Sequence, residues 1–207
     1  SAGYKERTYE KASIMNSATY LDWAATAPLK PEAAAAMADA ARRLSSGEWA
    51  NPSSVHAPGR AARRALAQAR ERIAAFFRVD PDAVIFTSGG TEALSLALQG
   101  ADATTRLVGA AEHSAVLAAA PQATIIPVDR QGRAQLPEIP PGALVALQHA
   151  NNETGVIQNL PAIAETVHAA GARLVADCVQ SAGKLPLPPT DFIAVSAHKL
   201  GGPPGIG

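Results

Sequence analysis

The sequence predicts an α/β protein, a mostly parallel sheet sandwiched by helices. Three observations carry this reading. Short runs of apolar, β-prone residues recur at Val84–Thr87, Leu107–Ala110, Thr124–Val128, Leu144–Leu147, Leu174–Ala176 and Phe192–Val195. These runs are continuous rather than alternating, the pattern of strands covered on both faces. Helical stretches lie between several of them, and strand–helix alternation produces parallel pairing.

Taken in order, Tyr20–Pro28 reads as a short extended piece ending in a turn. Pro31 suits the start of an alanine-rich helix over Glu32–Leu44, where alanine's propensity carries the signal. A punctuated loop, Ser45–Ser54, leads to a helix from about Gly59 to Phe77. There Leu66, Ile73 and Phe77 share one face, with arginines opposite. The Val84–Thr87 strand enters the tight turn Ser88-Gly89-Gly90, and Thr91-Glu92-Ala93-Leu94 opens a helix. Further helices are expected near Ser114–Ala120 and Ile163–Ala170, while Leu136–Gly142 is too proline-rich for a full crossover helix.

With 207 residues, 47% hydrophobic and 17% charged, the chain is long enough for one good-sized core. Zero formal net charge gives no reason to expect nucleic acid or an anionic membrane as partner. No apolar run reaches bilayer-crossing length. A single cysteine, Cys178, rules out an internal disulfide framework and suits a reducing compartment, so a cytoplasmic location is expected. No secretory signal is visible in the polar stretch Ser1–Ile14, and Met15 looks like a natural start. Residues 1–14 are therefore expected to be a cloning remnant or disordered extension, and 15–207 a single folded unit. No metal is expected.

The chemistry-bearing residues cluster where strands end, the crevice side of an open parallel sheet. Lys199 follows the last strand within Ser196-Ala197-His198-Lys199 and a Gly/Pro-rich turn. A lysine among small residues there can lose solvation and lower its pKa, as a Schiff-base amine requires; a surface lysine before a loop is the alternative. Gly90 and Thr91 at a helix start form either a phosphate cradle or ordinary capping. Asp177 closes an apolar strand and needs a cationic or hydrogen-bonding partner, a protonated ring nitrogen or a structural arginine. His113 either stacks on a flat ring and shuttles a proton or caps a helix. Asn151-Asn152 offers a turn or amide donors, and Gln180 can return toward the crevice. His149 supports that loop and His168 is solvated. Lys184 is the rival amine. Cys178 should point away from the crevice if Asp177 points into it, and reads as a small core residue rather than a nucleophile. Together, cradle, stacking residue, buried carboxylate and strand-end lysine are the set that pyridoxal phosphate calls for.

These residues also carry a resemblance. Tyr20-Leu21-Asp22 with Ala24-Ala25-Thr26, Asn51-Pro52-Ser53-Ser54-Val55-His56, Phe86–Glu92, Glu112-His113, Asn151–Val156, Asp177 with Gln180–Lys184, and Ser196–Lys199 occur in the order seen in cysteine desulfurases. The chain resembles that group, within the class V aminotransferase superfamily of fold type I pyridoxal-phosphate enzymes, from about Tyr20 to its last residue. The resemblance implies the large, cofactor-binding domain of that fold. It implies that Lys199 carries the cofactor as a Schiff base, Asp177 pairs with the pyridinium nitrogen, and His113 stacks on the ring and handles protons. Gln180 would contact the ring hydroxyl, Asn152 would lie beside the ring, and Gly90, Thr91, Ser196 and His198 would hold the phosphate. It implies removal of sulfur from L-cysteine, leaving alanine and an enzyme persulfide for iron–sulfur clusters or thiolated RNA bases. It also implies a homodimer that serves a sulfur-acceptor or scaffold protein.

The chain departs from that pattern in length. Desulfurases extend roughly as far again beyond the lysine, and that half holds the sulfur-accepting thiol and the carboxylate-binding arginine. A fragment, one piece of a split enzyme whose second chain supplies the C-terminal half, and a truncated relative are all consistent with this. Pro204 stands where the group often has lysine. A related lyase or aminotransferase, selenocysteine lyase included, and a non-catalytic chain remain as alternatives.

Overall fold

The computed structural model describes residues 19–207, so the readings on residues 1–14 and Met15 lie outside the described residues. Two long helices come first, α1 (Pro31–Ser45) and α2 (Ala57–Phe77). Proline at the first turn of α1 sacrifices no intrahelical hydrogen bond and presets φ. The His56 ring accepts the Gly59 N–H at 3.2 Å, which satisfies one orphan donor and lets α2 start ahead of Gly59. Arg78, with φ 57°, ends α2 in the left-handed region.

Neither helix packs as its pattern suggests. Helix α1 buries no residue, and α2 buries only Gly59 and Ala74. Leu66 is exposed, while Ile73 and Phe77 are half-buried. Periodicity reports that an apolar face exists; it does not report what covers that face.

The centre of the molecule matches expectation closely. It comprises α3 (Gly90–Gly100), β1 (Arg106–Gly109), α4 (Ser114–Ala119), β2 (Thr124–Ile126), β3 (Leu144–Gln148), α5 (Leu160–Ala169), β4 (Arg173–Asp177) and β5 (Phe192–Ala194). The five strands form one sheet in the order β2-β1-β3-β4-β5, every neighbouring pair parallel. Helices cover both faces. Leu94 and Leu98 of α3 and Val116 of α4 pack with Val108, Ala146 and Val175 on one side. Leu160, Ala164 and Val167 of α5 pack with Leu107, Val145, Leu147 and Leu174 on the other. Alternation along β4 thus sends Val175 and Leu174 to opposite layers. Each fully buried Leu or Val contributes about 1.5–3 kcal/mol, and these two layers hold the sheet.

One expected strand is absent. Val84–Thr87 is not part of the sheet, and Ile85 is 72% exposed. Thr87 alone exchanges both backbone hydrogen bonds, with Gly207 at 2.8 and 2.9 Å. Apolar, β-prone residues make a strand only where a ladder of partners exists, and one pair is not a ladder. Two boundaries also move. Strand β2 stops at Ile126 because Pro127 has no N–H to give. Helix α5 starts at Leu160, since Asn159 accepts the Ala162 N–H and Pro161 fits the first turn. The proline-rich stretch 136–142 carries no helix, as its composition implies.

Candidate active site

The order of strands reverses between β1 and β3, since the chain first adds β2 on one side of β1 and then β3 on the other. Ligand crevices of open parallel sheets lie at such a switch point, beyond the carboxyl ends of the strands. A cavity of about 220 Å³ occurs there, and it is lined by the nine residues that the resemblance assigns to the cofactor: Gly90, Thr91, His113, Asn152, Asp177, Gln180, Ser196, His198 and Lys199.

Each side chain is delivered by an element end. Helix α3 points its N-terminus at the cavity, and Gly89 before it provides no side-chain cap. Its first-turn N–H groups therefore have no intrahelical partner and, with the helix dipole, favour an anion. Gly90 must lack a side chain, because a Cβ would lie 2.8 Å from Val179 Cγ2. The turn ahead of the helix is fixed by Glu92, whose Oε2 accepts the Ser88 N–H at 2.6 Å and the Ser88 hydroxyl at 2.7 Å. Those bonds hold the Glu92 carboxyl below its ordinary pKa.

Asp177 ends β4 and is 8% exposed. Its Oδ1 accepts the Val179 N–H at 2.9 Å. Burial raises its pKa, against the pull of that hydrogen bond and of nearby His113 and Lys199. Cys178, next along, is fully buried in the opposite layer with Leu174 and Ala176. Burial pushes its thiol up to about 12, so it carries no thiolate at neutral pH. This is the orientation that strand alternation implied.

Lys199 closes the single 3-10 turn Ala197–Lys199 that follows β5. Burial, then the charge of Lys184, lowers the pKa of its amine, while Asp22 and Asp177 oppose the shift. Its Nζ donates to the carbonyl of Ala24, which also accepts from Gln180 Nε2 at 2.7 Å. The Asp22–Ala27 segment is itself docked on this turn. Ala27 N–H donates to the His198 carbonyl at 2.9 Å, and Thr26 Oγ1 lies 3.1 Å from His198 Nδ1. Burial, with Lys199 adding to it, lowers the pKa of His198. Lys184, the rival amine, lines a separate groove beside Phe76 and Pro186.

His113 is exposed at the start of α4 and accepts the Ala115 N–H on Nδ1 at 3.1 Å. It is thus a helix cap and a cavity-lining ring at once. Asn151 shapes its loop, with Oδ1 accepting the N–H groups of Glu153 and Thr154, and leaves the exposed Asn152 at the cavity. His149 is buried, and its N–H continues the ladder to the Asp177 carbonyl at 2.8 Å. His168 pairs with Asp191 at 2.9 Å rather than facing water alone.

Sequence reasoning missed several participants. Gln148 and Val179 line the cavity, and Thr26 braces His198. Gln148 closes an apolar strand just as Asp177 does, a signal that was available. The Ala24 carbonyl had none, because a backbone acceptor leaves no mark on residue type. The assembled site presents, on one cavity, a helix N-terminus for an anion, an amine of lowered pKa and a buried carboxyl.

Comparison with known proteins accords with this geometry. The family model described as aminotransferase class-V matches residues 19–207. A cysteine desulfurase of Cereibacter sphaeroides is 39% identical over 91% of this chain and 54% of its own length. Among solved structures, a NifS-like protein superposes with a TM-score of 0.81 at 28% identity, covering 90% of this chain and 57% of that one. A structure described as SspA in complex with cysteine reaches 0.78 at 27% identity, over 92% of this chain and 60% of its own. The chain spans about half the length of the curated relatives it matches. With one family model covering every described residue, the chain belongs to the class V aminotransferase family.

Proposed function

We propose that this chain is the cofactor-binding part of a pyridoxal-phosphate-dependent cysteine desulfurase, its described residues forming one large-domain unit. The observation that carries the reading is the convergence of Lys199, Asp177 and the α3 N-terminus on one cavity. The donor set fits the group. The uncapped first turn of α3, with Ser196 and His198 across the cavity, suits a phosphate. Gly90 itself lines the cavity, and its lack of a side chain lets the start of α3 pack against Val179 and Ser196 at the cavity wall.

When bound, pyridoxal phosphate supplies an electron sink for bonds at the substrate's α-carbon. The residues of this chain do the rest. Asp177, as carboxylate, holds a proton at the ring nitrogen. Its burial makes the uncompensated charge costly, which gives it a strong preference for a cationic partner. Lys199, whose amine burial makes easier to deprotonate, is the group for covalent attachment and then for proton transfer. His113, lining the cavity, would stack against the ring and move a proton at the substrate. Asn152 and Gln180 orient the ring's substituents.

L-cysteine is favoured as substrate by the similarity to cysteine desulfurases and by the neighbouring structure described as a complex with cysteine. In the reaction, a thiol takes the sulfur of cysteine to become a persulfide, and alanine is left. Cys178 is unsuited to that role, so the accepting thiol must come from outside these 207 residues. A homodimer, a chain completing the fold and a sulfur-acceptor protein belong to the same reading, as do iron–sulfur or thiolated-base products and a cytoplasmic setting. Among the described residues no helix is long and apolar enough to cross a membrane.

The test compares sulfide and alanine production from L-cysteine by the chain alone, by the chain with a polypeptide supplying a desulfurase C-terminal half, and by that pair carrying Cys178→Ala. The chain alone should not exceed a cofactor-only control. The pair should turn over, and Cys178→Ala should leave it nearly unchanged. Robust Cys178-dependent turnover by the lone chain would overturn the assignment.

A further inference from the structure

The proposed chemistry leaves one buried ionisable group without a task. Glu112 sits in the turn between β1 and α4 and is 8% exposed. Its Oε1 accepts the backbone N–H of Gln148 at 2.9 Å, and its buried Oε2 has no hydrogen-bond partner among the described residues. Gly109 makes room for it, since a Cβ there would lie 2.6 Å from Oε1 and 2.9 Å from Leu147 Cδ2. A glycine at the end of a buried strand, an acid three residues later and an apolar neighbour together form a built pocket for one carboxyl group.

The bonds around it link two parts of the site. Gln148 Nε2 donates to the Ala111 carbonyl at 2.5 Å, and Asn151 Nδ2 donates to the same oxygen at 3.1 Å. Gln148 is also the register partner of Asp177 across β3 and β4. The turn that carries His113 is thus fastened to the strand pair that carries Asp177, with Glu112 supplying the bond to the main chain.

We propose that Glu112 is a positioning residue that, as an uncharged carboxylic acid, locks the His113 turn onto the end of β3 beside Asp177. The role rests on the cofactor reading only in what His113 and Asp177 are positioned for. Burial pushes the Glu112 carboxyl up to about 8, despite the Gln148 hydrogen bond, and Asp177 adds to the shift. The other titratable groups around it are His113 in its own turn and His149 just past β3, whose pKa burial lowers. A neutral acid keeps a second negative charge away from Asp177, which must be anionic to hold a ring proton. A charged one would compete with it.

The test uses Glu112→Gln, which keeps the acceptor and stays neutral, Glu112→Asp, which keeps the acid but shortens its reach, and Glu112→Ala. Infrared difference spectra of the cofactor-free protein, wild type minus Glu112→Gln, should show a protonated carboxyl band at pH 6.5 that converts to carboxylate as pH passes about 8. The His113 ring resonances should stay in place in Glu112→Gln and move in Glu112→Asp and Glu112→Ala. Pyridoxal-phosphate affinity should change less than about twofold in Glu112→Gln and fall about tenfold in Glu112→Asp. If Glu112→Ala does not fold, Gln and Asp carry the comparison. A carboxylate band at pH 6.5, or unmoved His113 resonances in Glu112→Asp, would overturn the proposal. The infrared and resonance measurements need neither cofactor nor turnover, so their outcome is separate from that of the desulfurase reading.

Discussion

Asp177→Asn should push stability and function in opposite directions. Asn keeps the shape and the Oδ1 acceptor for the Val179 N–H, so the β4 end and its turn should hold. What disappears is a charge at a site 8% exposed, which the cofactor-free protein offsets only partly through that hydrogen bond, His113 and Lys199. Burial raises the folded-state pKa of Asp177 above its unfolded value. Its protonated form is therefore favoured by folding, and stability is lost as pH rises through the interval between the two values. At neutral pH the variant escapes that loss, so the cofactor-free protein should melt higher than wild type. Cofactor binding should respond the other way. A hydrogen bond to a charged partner contributes about 1.5–3 kcal/mol, so affinity for pyridoxal phosphate should drop about tenfold to a hundredfold. Turnover of a completed enzyme should fall by orders of magnitude. Thermal unfolding of the cofactor-free protein and a fluorescence titration with pyridoxal phosphate measure the two arms. A lowered Tm together with unchanged cofactor affinity would refute the reasoning, because it would make Asp177 an ordinary structural acid.

Borohydride reduction of the cofactor-loaded protein followed by peptide mapping should place the pyridoxyl group on Lys199, and recovery on Lys184 would assign the wrong amine. The cofactor-free protein should lose stability as pH rises from about 4.5 toward 8, by at most about 1.4 kcal/mol per pH unit from Glu112, because its raised folded pKa makes protonation favour the native state. Glu112→Gln should flatten that slope in urea unfolding measured at several pH values. Cys178 should resist alkylation by iodoacetamide in the native protein and react once unfolded; fast native labelling would contradict its place in the α5 layer.

The legible parts of this fold were those whose burial is symmetric. Strands β3 and β4 are covered on both faces, so their interiors, Leu144–Leu147 and Leu174–Ala176, are wholly apolar and their limits fell within a residue of expectation. The site was legible for a related reason. A polar residue that closes such a run, as Asp177 does, stands out against it. The illegible parts depend on what lies opposite. Val84–Thr87 has strand composition without a ladder, and α2 has an amphipathic stripe with Leu66 exposed upon it. Composition specifies an element's preference, and only a neighbour converts the preference into packing. The docking of Asp22–Ala27 on the Lys199 turn was hidden for a different reason. It is made largely by the carbonyl oxygens of Ala24 and His198, which every residue type carries.

Asp177 and Glu112 show how one sheet end sets two carboxyl groups to different tasks. Both are buried, and burial raises both pKa values. Their remaining partners differ. Asp177 faces the cavity with a backbone N–H, His113 and Lys199 near it, all of which favour the charged form. Glu112 has one backbone N–H, and its second oxygen has no hydrogen-bond partner among the described residues. The charge of Asp177 adds to the cost of ionising Glu112, so Glu112 is the one that keeps its proton. Neutral Glu112 then lets Asp177 keep its charge beside the amine of Lys199. Two acids whose surroundings separate their protonation states mark the division of labour at a site. Here that division assigns the charge to the cavity and the proton to the brace behind it.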